Sequence, residues 1–161
     1  MEQIELLDKA GYYAYHLAEH PPPAVHSLAP SQHVFLAAVS QRPENIRFGP
    51  GICVLPLHHP VQLIEEYCML DHLSGGRLEI GVGRGGVFEA FFWGQDSDVE
   101  ANYARYRETL SAVQNGLSND VLTHQGEFYN FDQLPMRLRP KQEPMPPFGI
   151  CEMLKLPLRT E

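Results

Sequence analysis

The segment of residues 16–20 (HLAEH) carries two imidazoles and a carboxylate within five positions. This spacing matches the inverted zinc-protease motif H-x-x-E-H, in which a helix directs both histidines to one metal ion. Here the segment leaves an aromatic-rich stretch and runs into three consecutive prolines, so a helix cannot continue through it. We therefore expect no metal site, and the residues alone leave a surface or loop histidine as the alternative.

A glycine-rich segment, residues 81–86 (GVGRGG), satisfies the pattern G-x-G-x-x-G. In dinucleotide-binding folds a helix begins directly on these glycines, and its first amides hold a pyrophosphate. The residues after Gly86 show no clearly capped helix, which argues against that fold. The glycines still permit the backbone to approach a phosphate or a ring, with Arg84 supplying positive charge. The alternative is a tight loop with Arg84 in solvent.

The third candidate is the segment of residues 51–60 (GICVLPLHHP). A glycine at the kink of an apolar strand can place a strained peptide bond against a ligand. His58 and His59 have the chemistry for catalysis or metal binding. Neighbours on the chain point apart, however, and Pro60 is suited to open a helix, so a structural role is favoured for the two histidines.

Each of the three segments overlaps the C-terminal part of a predicted strand. Apolar spacing and Gly/Pro boundaries predict helices over 1–10, 32–41, 60–73 and 100–117, strands over 12–18, 46–55 and 77–83, and a hairpin over 121–131. The third segment begins at a kink inside its strand, at residues 49–51. Ser31 is the expected N-cap of the second helix. Residues 19–30 and 84–99 are expected to be long loops, and the chain after Leu134 to be irregular with at most one short strand.

This alternation of helices and strands requires parallel strands with right-handed crossovers. Two architectures satisfy it: a doubly wound open sheet and an eight-stranded barrel. Both place their active sites on the loops that follow the C-terminal ends of strands.

Composition excludes several classes of protein. The formal net charge of −8 argues against a surface for nucleic acid or for anionic lipid. No apolar run approaches the roughly 20 residues that span a bilayer, and the N-terminus does not have the pattern of a signal peptide. Cys53, Cys68 and Cys151 are expected to be free thiols in a reducing compartment, with the cytoplasm as the predicted location.

Longer blocks of the sequence resemble the bacterial-luciferase-like flavin-dependent monooxygenases. The central blocks are residues 54–60 (VLPLHHP), 69–79 (MLDHLSGGRLE) and 81–85 (GVGRG). Residues 17–20 (LAEH) match the loop after the second barrel strand of that family, and residues 126–131 (GEFYNF) match its hairpin insertion. The resemblance covers about residues 3–149.

The resemblance implies a TIM-like barrel that binds reduced FMN, or a deazaflavin coenzyme in one branch, at the C-terminal ends of its strands. His20 would be the catalytic histidine beside the flavin, where an imidazole can shuttle a proton or stabilise the oxygenated flavin. Glu19 would line the floor of the same site.

The resemblance also assigns the other residues of the cofactor site. Arg84, flanked by Gly83 and Gly85, would pair with the flavin phosphate. Gly51 and Ile52 fall where the family often carries a non-prolyl cis peptide bond under the isoalloxazine ring.

Two departures from the family pattern stand out. Pro21 replaces a second histidine that many members carry, and Val82 occupies the place of the reactive cysteine of bacterial luciferase. Light emission is therefore not expected. The resemblance implies a partial (β/α) barrel, roughly its first half, lacking the first strand and the C-terminal units. Residues 1–149 would be this half barrel and residues 150–161 a divergent tail, of the kind that a frameshift or a truncated reading frame would produce.

The function expected from the resemblance is that of a monooxygenase fragment. Its parent reaction inserts one atom of O2 into a small organic substrate, with reduced FMN supplied by a separate flavin reductase, and a homodimer is expected. One alternative is a non-catalytic half barrel that only self-associates. Another is a deazaflavin-dependent oxidoreductase. Neither nucleic acid nor a membrane is an expected partner.

Overall fold

The structure, a computed structural model, describes residues 1–20, 30–95 and 98–150. The helices are α1 (Glu2–Lys9), α2 (Gln32–Val39), α3 (Pro60–Leu73), α4 (Val87–Phe92) and α5 (Val99–Ser118), with a 3-10 turn at Leu55–Leu57. The strands are β1 (Ala14–Leu17), β2 (Arg47–Pro50), β3 (Cys53–Val54), β4 (Ile80–Gly83), β5 (Val121–Gln125), β6 (Asn130–Pro135) and β7 (Phe148–Ile150).

The parallel strands occupy four neighbouring positions in the order of the chain. β1 pairs with β2, β3 pairs with β4, and β4 pairs with β7, all in parallel. β2 and β3 are one stretch of chain broken at Gly51-Ile52, and a parallel bridge between Phe48 and Leu78 joins β2 to the segment that leads into β4. A doubly wound sheet reverses its strand order at a switch point, whereas a barrel keeps chain order. The arc is therefore part of a (β/α) barrel.

The core lies between this arc and the helices. Its largest fully buried side chains include Phe48, Ile64, Tyr67, Leu78 and Leu117, which come from strands and helices alike. Removing one such side chain from water contributes about 1.5–3 kcal/mol. The hydrophobic effect therefore holds α3 and α5 on the outer face of the strands.

Proline and glycine set the bounds of α3. Pro60 occupies the first turn, where its missing N–H costs no hydrogen bond, and Gly75 and Gly76 follow the helix with φ of +71° and +94°. The prediction of a helix over 60–73 is confirmed. The helices predicted over 1–10, 32–41 and 100–117 are confirmed with ends that differ by one or two residues.

Two local predictions are wrong. The loop expected over 84–99 contains α4, because the carboxylate of Glu89 accepts the N–H of Gly86 at 2.7 Å and closes the first turn without a polar N-cap residue. Ser31 precedes α2 as predicted, but its side chain makes no capping hydrogen bond.

The predicted hairpin over 121–131 forms from β5 and β6, which pair antiparallel. The carboxylate of Glu108, on α5, accepts the backbone N–H groups of Glu127, Phe128 and Tyr129 in the turn. Burial alone would raise the pKa of Glu108, but these amides and His124 outweigh it, so its pKa is lowered from 4.5. These hydrogen bonds hold the hairpin turn against α5.

Several predictions concern the ends of the described ranges. Most of the loop expected over 19–30, and the expected tail beyond Ile150, lie outside the described residues. Ile150 itself is the last residue of β7 and pairs with Val82. Cys53 and Cys68 are buried free thiols, as predicted. Within the described ranges, the search for a helix long and apolar enough to cross a membrane finds none.

Candidate functional site at the strand ends

Three neighbouring strands bring the predicted site residues to the same edge of the arc. Leu17 lies opposite Pro50 and Val54 lies opposite Gly83 in parallel register. The C-terminal ends of parallel strands point the same way. The segments 18–20, 51–52 and 84–85, which follow or interrupt these strands, therefore meet at one end of the sheet.

Glu19 is buried and its carboxylate is fully engaged with the protein. Oε2 accepts the backbone N–H of Val54 at 2.7 Å and the side-chain amide of Gln32 at 3.2 Å. Oε1 lies 2.7 Å from Nε2 of His58. The side chain of Glu19 is only 5% exposed. It ties the end of β1 to β3, to the start of α2 and to the segment before α3.

His20 follows Glu19 and is half-buried. It is the last described residue before the prolines and lies three residues after Leu17, where β1 ends. Its role as the catalytic histidine stays a prediction.

The peptide bond between Gly51 and Ile52 is cis, as predicted. It lies in the break between β2 and β3, and the N–H of Gly51 donates to the carbonyl of Leu17 at 2.8 Å. A Cβ atom added at Gly51 would lie 2.7 Å from Cβ of His16, so β1 approaches the chain too closely here for a side chain. That these two residues contact a cofactor stays a prediction.

The glycines after β4 allow an equally close approach to β3. Gly83 is buried and pairs with Val54. Gly85 has a φ of +69°, and a Cβ there would lie 2.4 Å from Cγ1 of Val54 and 2.8 Å from Oε2 of Glu89. The backbone next to Arg84 is therefore held against the end of β3.

Arg84 is half-buried and is oriented by α5. Its Nη1 donates to Oδ1 of Asn102 at 2.9 Å, and its guanidinium carbon lies 4.4 Å from the centre of the Tyr103 ring. Asn102 is itself 4% exposed. A guanidinium fixed in this way presents a planar set of donors suited to a phosphate or carboxylate.

The H-x-x-E-H segment does not gather around one point. Nε2 of His16 lies 3.3 Å from Oε2 of Glu79, whereas Glu19 faces His58. The described residues contain a different cluster, in which ligand atoms of Glu19, Cys53 and His58 lie within 4.8 Å of one another. Burial, followed by the charge of Glu19, raises the pKa of the Cys53 thiol well above 9.0. Both oxygens of Glu19 already accept hydrogen bonds from within the chain.

A second pair of ionisable groups, His33 and Glu66, lies next to His58 of this cluster. Nδ1 of His33 is 2.6 Å from Oε2 of Glu66, and the rings of His33 and His58 are 5.8 Å apart. Burial raises the pKa of Glu66, but the hydrogen bond from His33 leads a set of opposing contacts, so the net pKa is below 4.5. Burial and the neighbouring Cys53 raise the pKa of Tyr67 well above 10.0.

Sequence reasoning missed two residues of this site, and it named His58 without linking it to Glu19. Asn102 lies 18 residues after Arg84, Gln32 lies 13 residues after Glu19, and His58 lies 39 residues after Glu19. Neither Asn102 nor Gln32 belongs to a spaced motif. For His58, the neighbouring proline did favour a structural role, and its contact with a buried carboxylate is the feature that spacing could not reveal.

Comparisons with known proteins agree with this geometry. The family model described as luciferase-like monooxygenase matches residues 1–150. The flavin-dependent trigonelline monooxygenase, oxygenase component, of Acinetobacter baylyi is 31% identical over 152 residues, which cover 94% of this chain and 42% of that protein. An F420-dependent glucose-6-phosphate dehydrogenase of Beutenbergia cavernae is 27% identical over 129 residues, 78% of this chain and 38% of that protein.

The solved structures give the same result. Monooxygenase RslO1 from Streptomyces bottropensis superposes with a TM-score of 0.86 and 27% identity, over 92% of this chain and 45% of that one. The chain thus spans about two fifths of the length of the curated relatives described above. From the family match and the shared fold, the chain belongs to the luciferase-like monooxygenases.

Proposed function

We propose that this chain contributes the first half of a flavin-binding barrel, in a monooxygenase that uses reduced FMN and O2 to oxidise a small organic substrate. The observation that carries the proposal is that three adjacent stretches of parallel strand end before His20, break at Gly51-Ile52 and end before Arg84, all at one edge of the arc. This is the end of a (β/α) barrel at which active sites lie. The relative from Acinetobacter baylyi is named as flavin-dependent and as an oxygenase component, which supports both the coenzyme and a separate reductase as its supplier.

The residues present fit the phosphate end of such a coenzyme. Arg84 supplies a fixed positive charge beside a loop that contains Gly83 and Gly85, where a backbone can come close to a ligand. When bound, reduced FMN would supply the electrons that activate O2. Of this chain's own groups, His20 would move a proton near the ring, and Gly51-Ile52 would provide the surface under it.

The test is a binding titration with FMN and with riboflavin, which lacks the phosphate. Arg84→Gln removes the guanidinium, and Arg105→Gln, on the same helix as Asn102 but packed against Phe128, is the control. We expect Arg84→Gln to weaken FMN binding about 10- to 100-fold, as for the loss of a charged hydrogen bond, and to leave riboflavin binding within about twofold. Arg105→Gln should bind both ligands like the wild type.

Two results would contradict the proposal. An equal loss for FMN and riboflavin would mean that Arg84 does not meet the phosphate. Dissociation constants weaker than about 1 mM for reduced and oxidised FMN alike would mean that this chain is not a flavin-binding unit.

A deazaflavin coenzyme is the second candidate, because an F420-dependent dehydrogenase is among the relatives. Direct competition between FMN and F420 on the same protein distinguishes the two. Displacement of FMN by an equal concentration of F420 would favour a deazaflavin-dependent oxidoreductase.

Self-association without catalysis is the third candidate. Within the described residues, β1 pairs only with β2 and β7 only with β4, so each leaves an edge open. Tyr12, Tyr13 and Ile150, next to or in these edges, are exposed large apolar side chains. Open edges and apolar patches favour association with another chain. Sedimentation that shows dimers, together with no flavin binding, would support this candidate over the first.

A further inference from the structure

Val54 is the point at which the three strand ends meet. Its N–H donates to Glu19, the neighbour of His20, and its backbone pairs with Gly83, the neighbour of Arg84. Its Cγ1 atom occupies the space beside Gly85. A displacement of Val54 would therefore move the segments that carry His20, Ile52 and Arg84 together.

Glu19 holds Val54 only while its carboxylate keeps one orientation. Two side chains set that orientation: Gln32 contacts the oxygen that also accepts the Val54 N–H, and His58 contacts the other oxygen at 2.7 Å. The His58 contact is the shorter of these two side-chain contacts. A buried carboxylate that loses one of its hydrogen-bond donors is left with an uncompensated polar group, so its side chain shifts towards another donor.

The local chain geometry directs His58 back to Glu19. Leu55–Leu57 form a 3-10 turn, and the N–H of His58 donates to the carbonyl of Leu55 at 3.1 Å. The ring of His58 is flanked by that of His33, which is held in turn by Glu66. His59, the next residue, is exposed, and its ring meets Tyr129 and Phe131 of the hairpin.

We propose that His58 is a positioning residue for the strand-end site: by orienting Glu19, it fixes Val54 and with it the backbone that carries His20, Ile52 and Arg84. As far as it concerns a bound coenzyme, this inference rests on the proposed function. The clamp itself, His58 to Glu19 to Val54, is independent of any ligand and can be measured without one.

The first measurement is the hydrogen-exchange rate of the Val54 amide, monitored by NMR in the absence of flavin. His58→Leu removes the donor, and His58→Gln keeps a polar N–H of similar reach. His59→Leu is the matched control on the neighbouring residue. We expect exchange at Val54 to accelerate about tenfold or more in His58→Leu, since one hydrogen bond to a charged group is lost, and to return to within about threefold of wild type in His58→Gln.

The second measurement is FMN affinity in the same four proteins, with folding checked by circular dichroism. We expect His58→Leu to bind FMN about 5- to 10-fold more weakly, and His58→Gln and His59→Leu to stay within about twofold of wild type. If His58 acted only on stability, FMN affinity would fall in proportion to the stability lost, whichever residue replaced it. Wild-type affinity in His58→Gln, at the same stability as His58→Leu, would therefore indicate a positioning role.

Each outcome decides a different part of the inference. Unchanged Val54 exchange in His58→Leu would overturn the clamp. Faster exchange with unchanged FMN affinity would overturn its link to the coenzyme site. If the wild type itself does not bind FMN, the proposed function fails, while the exchange data still test the clamp. Co2+ titration that produces a thiolate-to-cobalt absorption band would show Glu19, Cys53 and His58 to be metal ligands instead, and would also overturn the inference.

Discussion

The two ends of the parallel strands are held by different chemistry. At the N-terminal end, charged side chains bind backbone carbonyls and one another across several elements. At the C-terminal end, glycines bring the strands close together, and one buried carboxylate, Glu19, joins them. At the N-terminal end, hydrogen-bond donors and acceptors of the chain satisfy one another. The C-terminal end carries the segments of Arg84 and His20, and contact of these two side chains with a ligand stays a prediction.

Arg77 shows what the N-terminal end is built to do. It donates to the carbonyls of Ser40, Ile46 and Ser74 at 2.8–3.0 Å. Burial lowers the pKa of its guanidinium, and the charge of Asp8 opposes that shift. Arg77 thus joins the C-terminal end of α2, the entry to β2 and the end of α3, each of which would otherwise leave carbonyls without a partner.

A second cluster at this end surrounds Gln142. Asp71, which is completely buried, accepts both the backbone and the side-chain N–H of Gln142, at 2.8 and 2.7 Å. Arg47 pairs with Glu79 at 2.7 Å and donates to the side-chain oxygen of Gln142 at 2.9 Å. Side chains that satisfy one another in this way, through one ion pair and several hydrogen bonds, leave few donors or acceptors for a ligand. The side chains at the N-terminal end are therefore engaged with one another and with the backbone, whereas a ligand role is proposed only for the C-terminal end.

Arg77→Met should have the largest effect on stability. The substitution leaves three backbone carbonyls without their donor. Hydrogen bonds from a charged donor contribute about 1.5–3 kcal/mol each, and water can replace part of what is lost. We therefore expect the free energy of unfolding to fall by about 3–4 kcal/mol. Urea unfolding measures it. The control is Arg42→Met, which removes an exposed pair with Glu5 and should cost less than about 1 kcal/mol. Equal losses in the two variants would contradict the assignment of the N-terminal end to stability.

The next effect concerns the glycines of the C-terminal end. Gly85 and Gly75 have nearly the same φ, +69° and +71°, but only Gly85 is crowded. Alanine at either position costs about 1–2 kcal/mol of backbone strain. At Gly85 its Cβ would also meet Val54 and Glu89, which adds about 1–3 kcal/mol.

The measurement is again urea unfolding, now paired with FMN binding. We expect Gly85→Ala to be the less stable variant and to weaken FMN binding, while Gly75→Ala keeps wild-type affinity. Equal affinity in both variants would show that the close approach of β3 and β4 serves packing alone.

Asp8, at the N-terminal end, should make the contribution of that end to stability depend on pH. Its carboxylate accepts the backbone N–H groups of Glu44, Asn45 and Ile46. The hydrogen bond from Glu44 is the main cause that holds the pKa of Asp8 below 3.8, against a smaller opposing contribution from burial. Because the folded pKa lies below the unfolded one, this stabilisation is present above pH 3.8 and is lost as the pH falls through the folded value.

Asp8→Asn should therefore be less stable than wild type by about 1–2 kcal/mol at pH 7, and this difference should shrink below pH 3.8. Urea unfolding at pH 7, 4 and 3 measures it. Glu2→Gln, an exposed change on the same helix, should stay within about 0.5 kcal/mol of wild type throughout. A difference for Asp8→Asn that grows as the pH falls would contradict the assignment.

The sequence predicted the features that local chemistry determines. Pro60 and the pair Gly75-Gly76 fix the ends of α3 through backbone constraints that depend on a few adjacent residues. The kink near Gly51 follows from glycine placement, and the parallel pairing of the strands follows from the alternation of elements, which left the strand order open between two architectures. These signals lie within short stretches of sequence, so they can be recognised without the fold.

The parts that were missed depend on contacts between distant residues. Glu19 was expected to line a cofactor floor, and no spacing indicated that it would bind the N–H of Val54 and the ring of His58. Asn102 was missed for the same reason, since only the packing of α5 brings it to Arg84. α4 was missed because its first turn is closed from within, by the carboxylate of Glu89, rather than by a recognisable N-cap residue.

The smallest expected effect tests whether an N-cap residue predicted from its type contributes to the free energy of unfolding. Asp98 accepts the N–H of Ala101 at 2.8 Å at the start of α5, whereas Ser31 makes no capping bond at the start of α2. Asp98→Ala should cost about 1 kcal/mol in urea unfolding, and Ser31→Ala less than about 0.5 kcal/mol. Ser31 immediately precedes Gln32, which contacts Glu19, so a loss of about 1 kcal/mol there would mean that the serine side chain helps to hold Gln32 in place. The strand-end site would then depend on one more side chain than Glu19 and His58.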